Sequence, residues 1–250
     1  DMVEQIAGDK VKSRVLINRS KHPKTFKPTA RQIKTLQRAS LVFYIGLTYE
    51  PALDMLFEKA GKPLKAIAVT KYIPKKDLII DNQPSQEINP YVWLDITLWI
   101  SAIEVVTNAL CQQFPEHKVL FKQNQYRYMG ELSTLNRWVD DQMSAIQSVN
   151  PVIVTHSNAF AYFATLYSLN AFDLAEYIAL LDQGTPFPFN GQVVANVFPS
   201  MYVKMQKDVK HTLNDNNVVL MPAVYTNHLA KKQTYVDMVR YNVQQFVDTF

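Results

Sequence analysis

The sequence holds one cysteine, Cys111, in 250 residues. That excludes an internal disulfide and any zinc cluster built on thiolates, and it leaves the redox compartment open. Glycine is scarce as well, with 6 in the chain. No GxGxxG and no Walker-type segment occurs, so the glycine-rich phosphate loops of nucleotide-binding proteins are excluded. No uninterrupted run of about 20 apolar residues is present; the best stretch, Val92 to Val106, is broken by Asp95 and Glu104. The first residues carry no leader pattern, as in a mature or trimmed chain. Internal repeats and low-complexity segments are absent too.

What is present describes a folded protein of uneven charge. Hydrophobic residues make up 48% and charged residues 19%, a composition that excludes global disorder and gives ample core for one large domain or two small lobes. The net charge is +4, but the first forty residues contain Lys10, Lys12, Arg14, Arg19, Lys21, Lys24, Lys27, Arg31, Lys34 and Arg38 against Asp1, Glu4 and Asp9. A basic face suits nucleic acid or anionic lipid. No nucleic-acid motif accompanies it, so a solvated basic surface is expected and no nucleic-acid partner.

Short apolar runs alternate with longer helical patterns, which predicts an α/β fold. Strands are expected at Leu41 to Ile45, Ala66 to Val69, Pro151 to Thr155, Gln192 to Val197 and Asn217 to Leu220. A short helix is expected over Thr29 to Arg38, with Thr29 as N-cap. From Asn124 to Ser148 the apolar positions Tyr128, Leu132, Leu135, Val139, Met143 and Ile146 recur at three- and four-residue spacings, the pattern of one long helix with a single apolar stripe. Gly130 is its weak point.

Enzymatic chemistry is not expected. Asp140 and Asp141 adjoin on a helix, where neighbours point about 100° apart and form no carboxylate dyad. Ser157 beside His156 lacks a nucleophile-elbow pattern and a third partner. His117 and His211 lie in polar helical surroundings and are expected to face solvent. The run Pro186-Phe187-Pro188-Phe189 is expected to pack on its own lobe, and Tyr225 and Tyr235 to belong to aromatic clusters.

Several segments, in order, resemble one family. Asn89-Pro90-Tyr91-Val92-Trp93-Leu94-Asp95 resembles the Asp-Pro-His-x-Trp-Leu-Asp motif of the zinc- and manganese-binding receptors of ABC importers. Asp1 to Val11 is similar to that family's first helix and its exit, and Ala39 to Leu47 to its Ala-Asp-Leu-Val-Phe-Tyr-Asn-Gly-Leu strand. Thr155 to Phe163 is similar to its second-lobe motif, and Thr234 to Asn242 to its closing helix. The resemblance implies two α/β lobes, each a mostly parallel sheet flanked by helices, joined by one long linker helix with a cleft between them. The implied boundaries are an N-terminal lobe at 1-115, a linker region at 116-149 and a C-terminal lobe at 150-250. It further implies an extracytoplasmic solute-binding protein, periplasmic or lipid-anchored upstream of Asp1, with a membrane permease as partner and a metal ion or small solute as cargo.

The ligand positions that the resemblance implies are all substituted. They fall on Lys24 in His22-Pro23-Lys24-Thr25-Phe26-Lys27-Pro28-Thr29, on Tyr91, on Ser157, and on Asn227 in Tyr225-Thr226-Asn227-His228-Leu229-Ala230. A dication site needs imidazole and carboxylate donors; these four offer an ammonium, a phenol, a hydroxyl and an amide. Three readings stay open. The ammonium of Lys24 replaces the metal charge and donates to Tyr91, Ser157 and Asn227, leaving a degenerate site for an anionic or organic ligand, or a binding or adhesion protein on the same scaffold. Alternatively His22, His156 and His228, near three of the positions, rebuild a zinc or manganese site. The simpler alternative is three unrelated histidines, since a one-residue shift along a strand turns a side chain to the opposite face. The family also has a strand before the segment matching Asp1, so either the chain is trimmed or its first lobe is without that strand, in which case lower stability, or supply of the strand by another chain, is expected.

Overall fold

The computed structural model describes residues 1–19, 21–60, 65–81, 87–146, 152–155, 157–182, 193–196, 219–220, 222 and 224–250. The chain divides into two compact units, one of residues Asp1–Thr134 with Asn227–Leu229, the other of Leu135–Thr226 with Ala230–Phe250.

The first unit opens with α1 (Met2–Ala7), whose Met2, Ile6 and Ala7 are buried. Helix α2 (Ala30–Arg38) starts at Thr29 as expected. The Thr29 hydroxyl accepts the Gln32 N–H and the Gln32 side chain accepts the Thr29 N–H, a reciprocal capping box that satisfies two donors the first helical turn leaves open. Strands β1 (Val42–Tyr44) and β2 (Ala66–Ala68) pair in parallel, Val42 opposite Ala66. Between them runs α3 (Pro51–Ala60). Phe26, Leu36, Val42 and Leu53 form a core cluster, with Leu16, Ile17, Leu56, Phe57 and Ala66 packed against it.

The apolar stretch around Val92 becomes a 3₁₀ turn, Val92–Leu94, followed by α4 (Ile96–Gln113). Asp95, which broke the apolar run in the sequence, is the cap of α4: its Oδ1 accepts the N–H groups of Thr97 (2.7 Å) and Leu98 (3.2 Å). No described helix is long and apolar enough to cross a membrane.

Helix α5 spans Lys118–Ile146, six residues longer at its start than expected from Asn124. The apolar stripe continues backward through Phe121, which is fully buried, and Pro115 opens the preceding 3₁₀ turn. Tyr128, Leu132, Leu135, Val139, Met143 and Ile146 are all buried, as their spacing predicts. Gly130 lies exposed, with nothing within 4 Å of an added Cβ. His117 is a correction: it is half-buried and meets the Phe121 ring edge-on at 5.8 Å. His211 and the Pro186 to Phe189 run lie outside the described residues.

The second unit holds a four-stranded parallel sheet in the order β4-β3-β5-β6, from β3 (Val152–Thr155), β4 (Asn170–Asp173), β5 (Val193–Asn196) and β6 (Val219–Leu220). Central β3 is buried along its length. Helices α6 (Ala161–Leu166), α7 (Leu174–Asp182) and α8 (Tyr235–Thr249) complete the described elements. Phe160, Phe163 and Phe246 pack as one aromatic cluster, with centroids 5.1 to 6.0 Å apart. Tyr225 packs on Tyr241 at 5.2 Å.

Candidate ligand site

The site in the first unit grows from a tight turn after β1. Gly46 has φ of 82°, and a Cβ there would stand 3.0 Å from the Ala68 Cβ; only glycine fits that conformation at that approach. Leu47 and Thr48 also have positive φ, and the Tyr49 N–H closes the turn on the Gly46 carbonyl at 3.0 Å. Thr70 donates its hydroxyl to the Ile45 carbonyl at 2.6 Å, tying the turn to the end of β2.

Glu50 folds back over this turn. Its two carboxylate oxygens accept the N–H groups of Ile45 (3.2 Å) and Gly46 (3.3 Å). The residue is 6% exposed, and burial pushes its carboxyl up to about 7, against the opposing pull of those two N–H bonds. A buried carboxyl of this kind favours its neutral form.

The turn delivers Tyr49 into a buried aromatic cluster. Its ring centroid lies 5.1 Å from Trp93 and 5.8 Å from Tyr91, and Tyr91 lies 5.2 Å from Trp93. His22 meets Tyr49 edge-on at 6.4 Å. Burial, with Tyr91 and Glu50 beside it, pushes the Tyr49 phenol well above its ordinary range, so Tyr49 serves as a neutral hydrogen-bond donor. Its hydroxyl donates to Asn227 Oδ1 at 3.1 Å. Tyr91 is positioned by its main chain: its N–H donates to Asn89 Oδ1 (3.0 Å), and the Asn89 amide donates to Asp81 Oδ1 (2.9 Å).

Of the four expected positions, Lys24, Tyr91 and Asn227 belong to the first unit and Ser157 to the second. Lys24 holds its ammonium 3.9 Å from Glu87 Oε2 with the side chain 43% exposed. The acceptor expected for that ammonium on Asn227 takes the Tyr49 hydroxyl instead. Ser157 is half-buried just beyond β3, next to Asn158 with φ of 44°.

The histidine alternative rests on His22, His156 and His228. The Nδ1 of His22 accepts the Lys24 N–H at 3.3 Å. A metal bound through that nitrogen would have to displace the Lys24 N–H. His228 is half-buried, and burial with the nearby charge of Arg19 holds its imidazole below its ordinary range. His156 lies outside the described residues. Among the described residues no group of three or more His, Cys, Asp or Glu is placed to hold a metal ion.

Sequence reasoning missed Tyr49 and Glu50, and gave Asn89 no role beyond its place in the Asn89 to Asp95 segment. A signal existed for Glu50, a carboxylate just before Pro51 at a helix start and close after a Gly. None existed for the pairing of Tyr49 with Tyr91, because 42 residues separate them.

The fold is that of the two-lobed periplasmic binding proteins. The periplasmic zinc binding protein TroA of Treponema pallidum superposes with a TM-score of 0.84 over 99% of this chain and 94% of its own, at 22% identity. The Fe(III)-bound YtgA of Chlamydia trachomatis superposes at 0.80 over 99% of this chain and 93% of its own, at 19% identity. By sequence, residues 1–186 match the family described as zinc-uptake complex component A, periplasmic, and the chain belongs to that family of solute-binding proteins. It is a receptor scaffold and not an enzyme. The manganese-binding lipoprotein MntA of Bacillus subtilis is 31% identical over 67% of this chain, a match spanning 54% of that relative's length. The manganese ABC transporter substrate-binding lipoprotein PsaA of Streptococcus pneumoniae is 24% identical over 99% of this chain and 85% of its own. The family works with membrane permease and ATPase components.

Proposed function

We propose that this chain is an extracytoplasmic solute-binding protein serving an ABC importer of the metal-ion family, with its ligand positions altered so that they hold no zinc or manganese. One observation carries this reading. Asn227, the position at which the family resemblance implies a carboxylate, is a neutral amide already engaged by the Tyr49 hydroxyl at 3.1 Å. The companions at that site are consistent with it: Tyr91 is buried at 1% exposure in an aromatic stack, and Lys24 adds a positive charge balanced by Glu87. A dication held by such a set would keep most of its charge uncompensated, and dehydrating it would cost more than the donors return.

A second reading keeps the scaffold and changes the cargo. Lys24 supplies an ammonium donor and the Tyr49–Asn227 pair neutral polar groups, a set suited to an anionic or organic solute, or to a binding or adhesion role. The test is a thermal-shift titration with zinc and manganese. A specific site filled to about 100 times its Kd adds about 2.7 kcal/mol of stability, which for a chain of this size is a rise of about 5–10 °C. The proposal expects less than about 1 °C; a rise of the larger size with either ion sinks it.

A further inference from the structure

Between Lys10 and Ser40 the chain contains ten basic residues and no Asp or Glu. The first forty residues hold ten basic against three acidic, a formal +7; the remaining 210 hold sixteen basic against nineteen acidic, −3. The fold gathers part of this excess on one surface of the first unit. Arg31, Lys34 and Arg38 sit on α2 at intervals of three and four, the spacing of one helix face, and all three are exposed. The opposite side of α2 supplies Leu36 to the core.

Beside that helix runs the segment that includes Lys12, Arg14 and Val15. It is held there by Gln32 Nε2, which donates to the Leu16 carbonyl at 3.3 Å, and by Leu16 and Ile17 packing on the cluster of Leu36. Lys12 and Arg14 are exposed, and Val15 is 77% exposed between Arg14 and the anchored Leu16. Among the described residues the ion pairs made by the Lys10 to Ser40 segment are Lys10–Asp9 and Lys24–Glu87. The α2 face therefore projects its charge uncompensated by a described neighbouring carboxylate.

We propose that this surface, Lys12 and Arg14 beside the Arg31, Lys34 and Arg38 face of α2, docks on an anionic phospholipid bilayer. Charge complementarity selects a polyanion, and the choice of a bilayer over nucleic acid rests on the extracytoplasmic placement proposed above. Val15 provides an apolar side chain at the headgroup boundary while the flanking cations meet lipid phosphates. Docking of this kind would hold the receptor near the membrane components it serves, independently of what the ligand site binds.

The experiment is co-sedimentation of the purified chain with vesicles of about 30% phosphatidylglycerol in phosphatidylcholine, against pure phosphatidylcholine, at about 50 and 300 mM salt. Binding is expected to the anionic vesicles alone and to fall steeply with salt, because a surface of separated charges is screened within a Debye length of about 10 Å. Each cation near an anionic surface contributes about fivefold, so R31Q/K34Q/R38Q is expected to weaken binding about a hundredfold. Gln is a good helix former, so α2 should persist. The matched triple K75Q/K76Q/K118Q removes the same charge from other exposed positions and is expected to change binding by less than about threefold. Failure of the unaltered chain to bind anionic vesicles overturns the proposal without reference to any variant. So does equal weakening by the two triples, or tighter binding to duplex DNA than to the vesicles. The metal titration is a separate measurement, so each reading can fail alone.

Discussion

Burial of Glu50 makes stability fall as pH rises through neutrality. The carboxyl is 6% exposed and titrates at about 7 in the folded chain, from an ordinary value of 4.5, chiefly through burial. Between those two values the folded state holds a proton that the unfolded state has released. The contribution to stability is therefore fully present below about 4.5, declines across that window, and is lost as pH passes 7. Each pH step of one between the two values removes about 1.4 kcal/mol, so the change between pH 5 and pH 8 comes to about 2–3 kcal/mol. Other groups titrate too: Asp54 is raised by burial, and Glu4 and Asp237 are lowered by hydrogen bonds. The clean quantity is therefore the difference between wild type and Glu50→Gln in urea unfolding at pH 5, 6, 7 and 8. The glutamine carries no titrating proton, so the variant should gain on wild type by about 2–3 kcal/mol from pH 5 to pH 8. A difference that stays flat over that range would show that the carboxyl is not buried as described, and the packing described for the turn would be refuted with it.

Further outcomes follow from the same geometry. Tyr49→Phe removes the donor to Asn227 and should cost about 1 kcal/mol in urea unfolding; no loss would mean the hydroxyl has no structural role. Asp95→Ala removes the acceptor for two N–H groups of α4 and should cost about 1–2 kcal/mol, while Asp95→Asn keeps most of that stability. The combined variant K24H/Y91H/N227D supplies imidazole and carboxylate donors at the three positions that lie in the first unit. It should gain a zinc-dependent rise in Tm of about 5–10 °C at saturation. Gain without zinc, or no gain with it, would count against placing the ligand positions at those residues.

Where the sequence was legible, one local pattern carried the information. Thr29 reads as an N-cap in the letters and is one in the structure, where Gln32 completes a capping box, and the stripe from Tyr128 to Ile146 needed its period alone. Strand β4 was missed because Asn170-Ala171-Phe172-Asp173 mixes polar and apolar residues without a run; its parallel pairing with β3 supplies the order that its composition does not. The start of α5 was placed late because Val119 and Lys122 dilute the stripe, although Phe121 is buried. In the site, the resemblance pointed to Lys24, Tyr91 and Asn227. The surroundings of each were not legible, because they depend on partners distant in sequence: Glu87 for Lys24, and Tyr49 for both Tyr91 and Asn227.

The most direct measurement is the metal stoichiometry of the chain purified without chelator, read by inductively coupled plasma mass spectrometry after exposure to zinc and manganese and removal of free ions. The neutral oxygen donors of Tyr49, Tyr91 and Asn227 should retain well under about one tenth of an ion per chain. One ion of zinc or manganese per chain, retained through desalting, would contradict the altered-site reading.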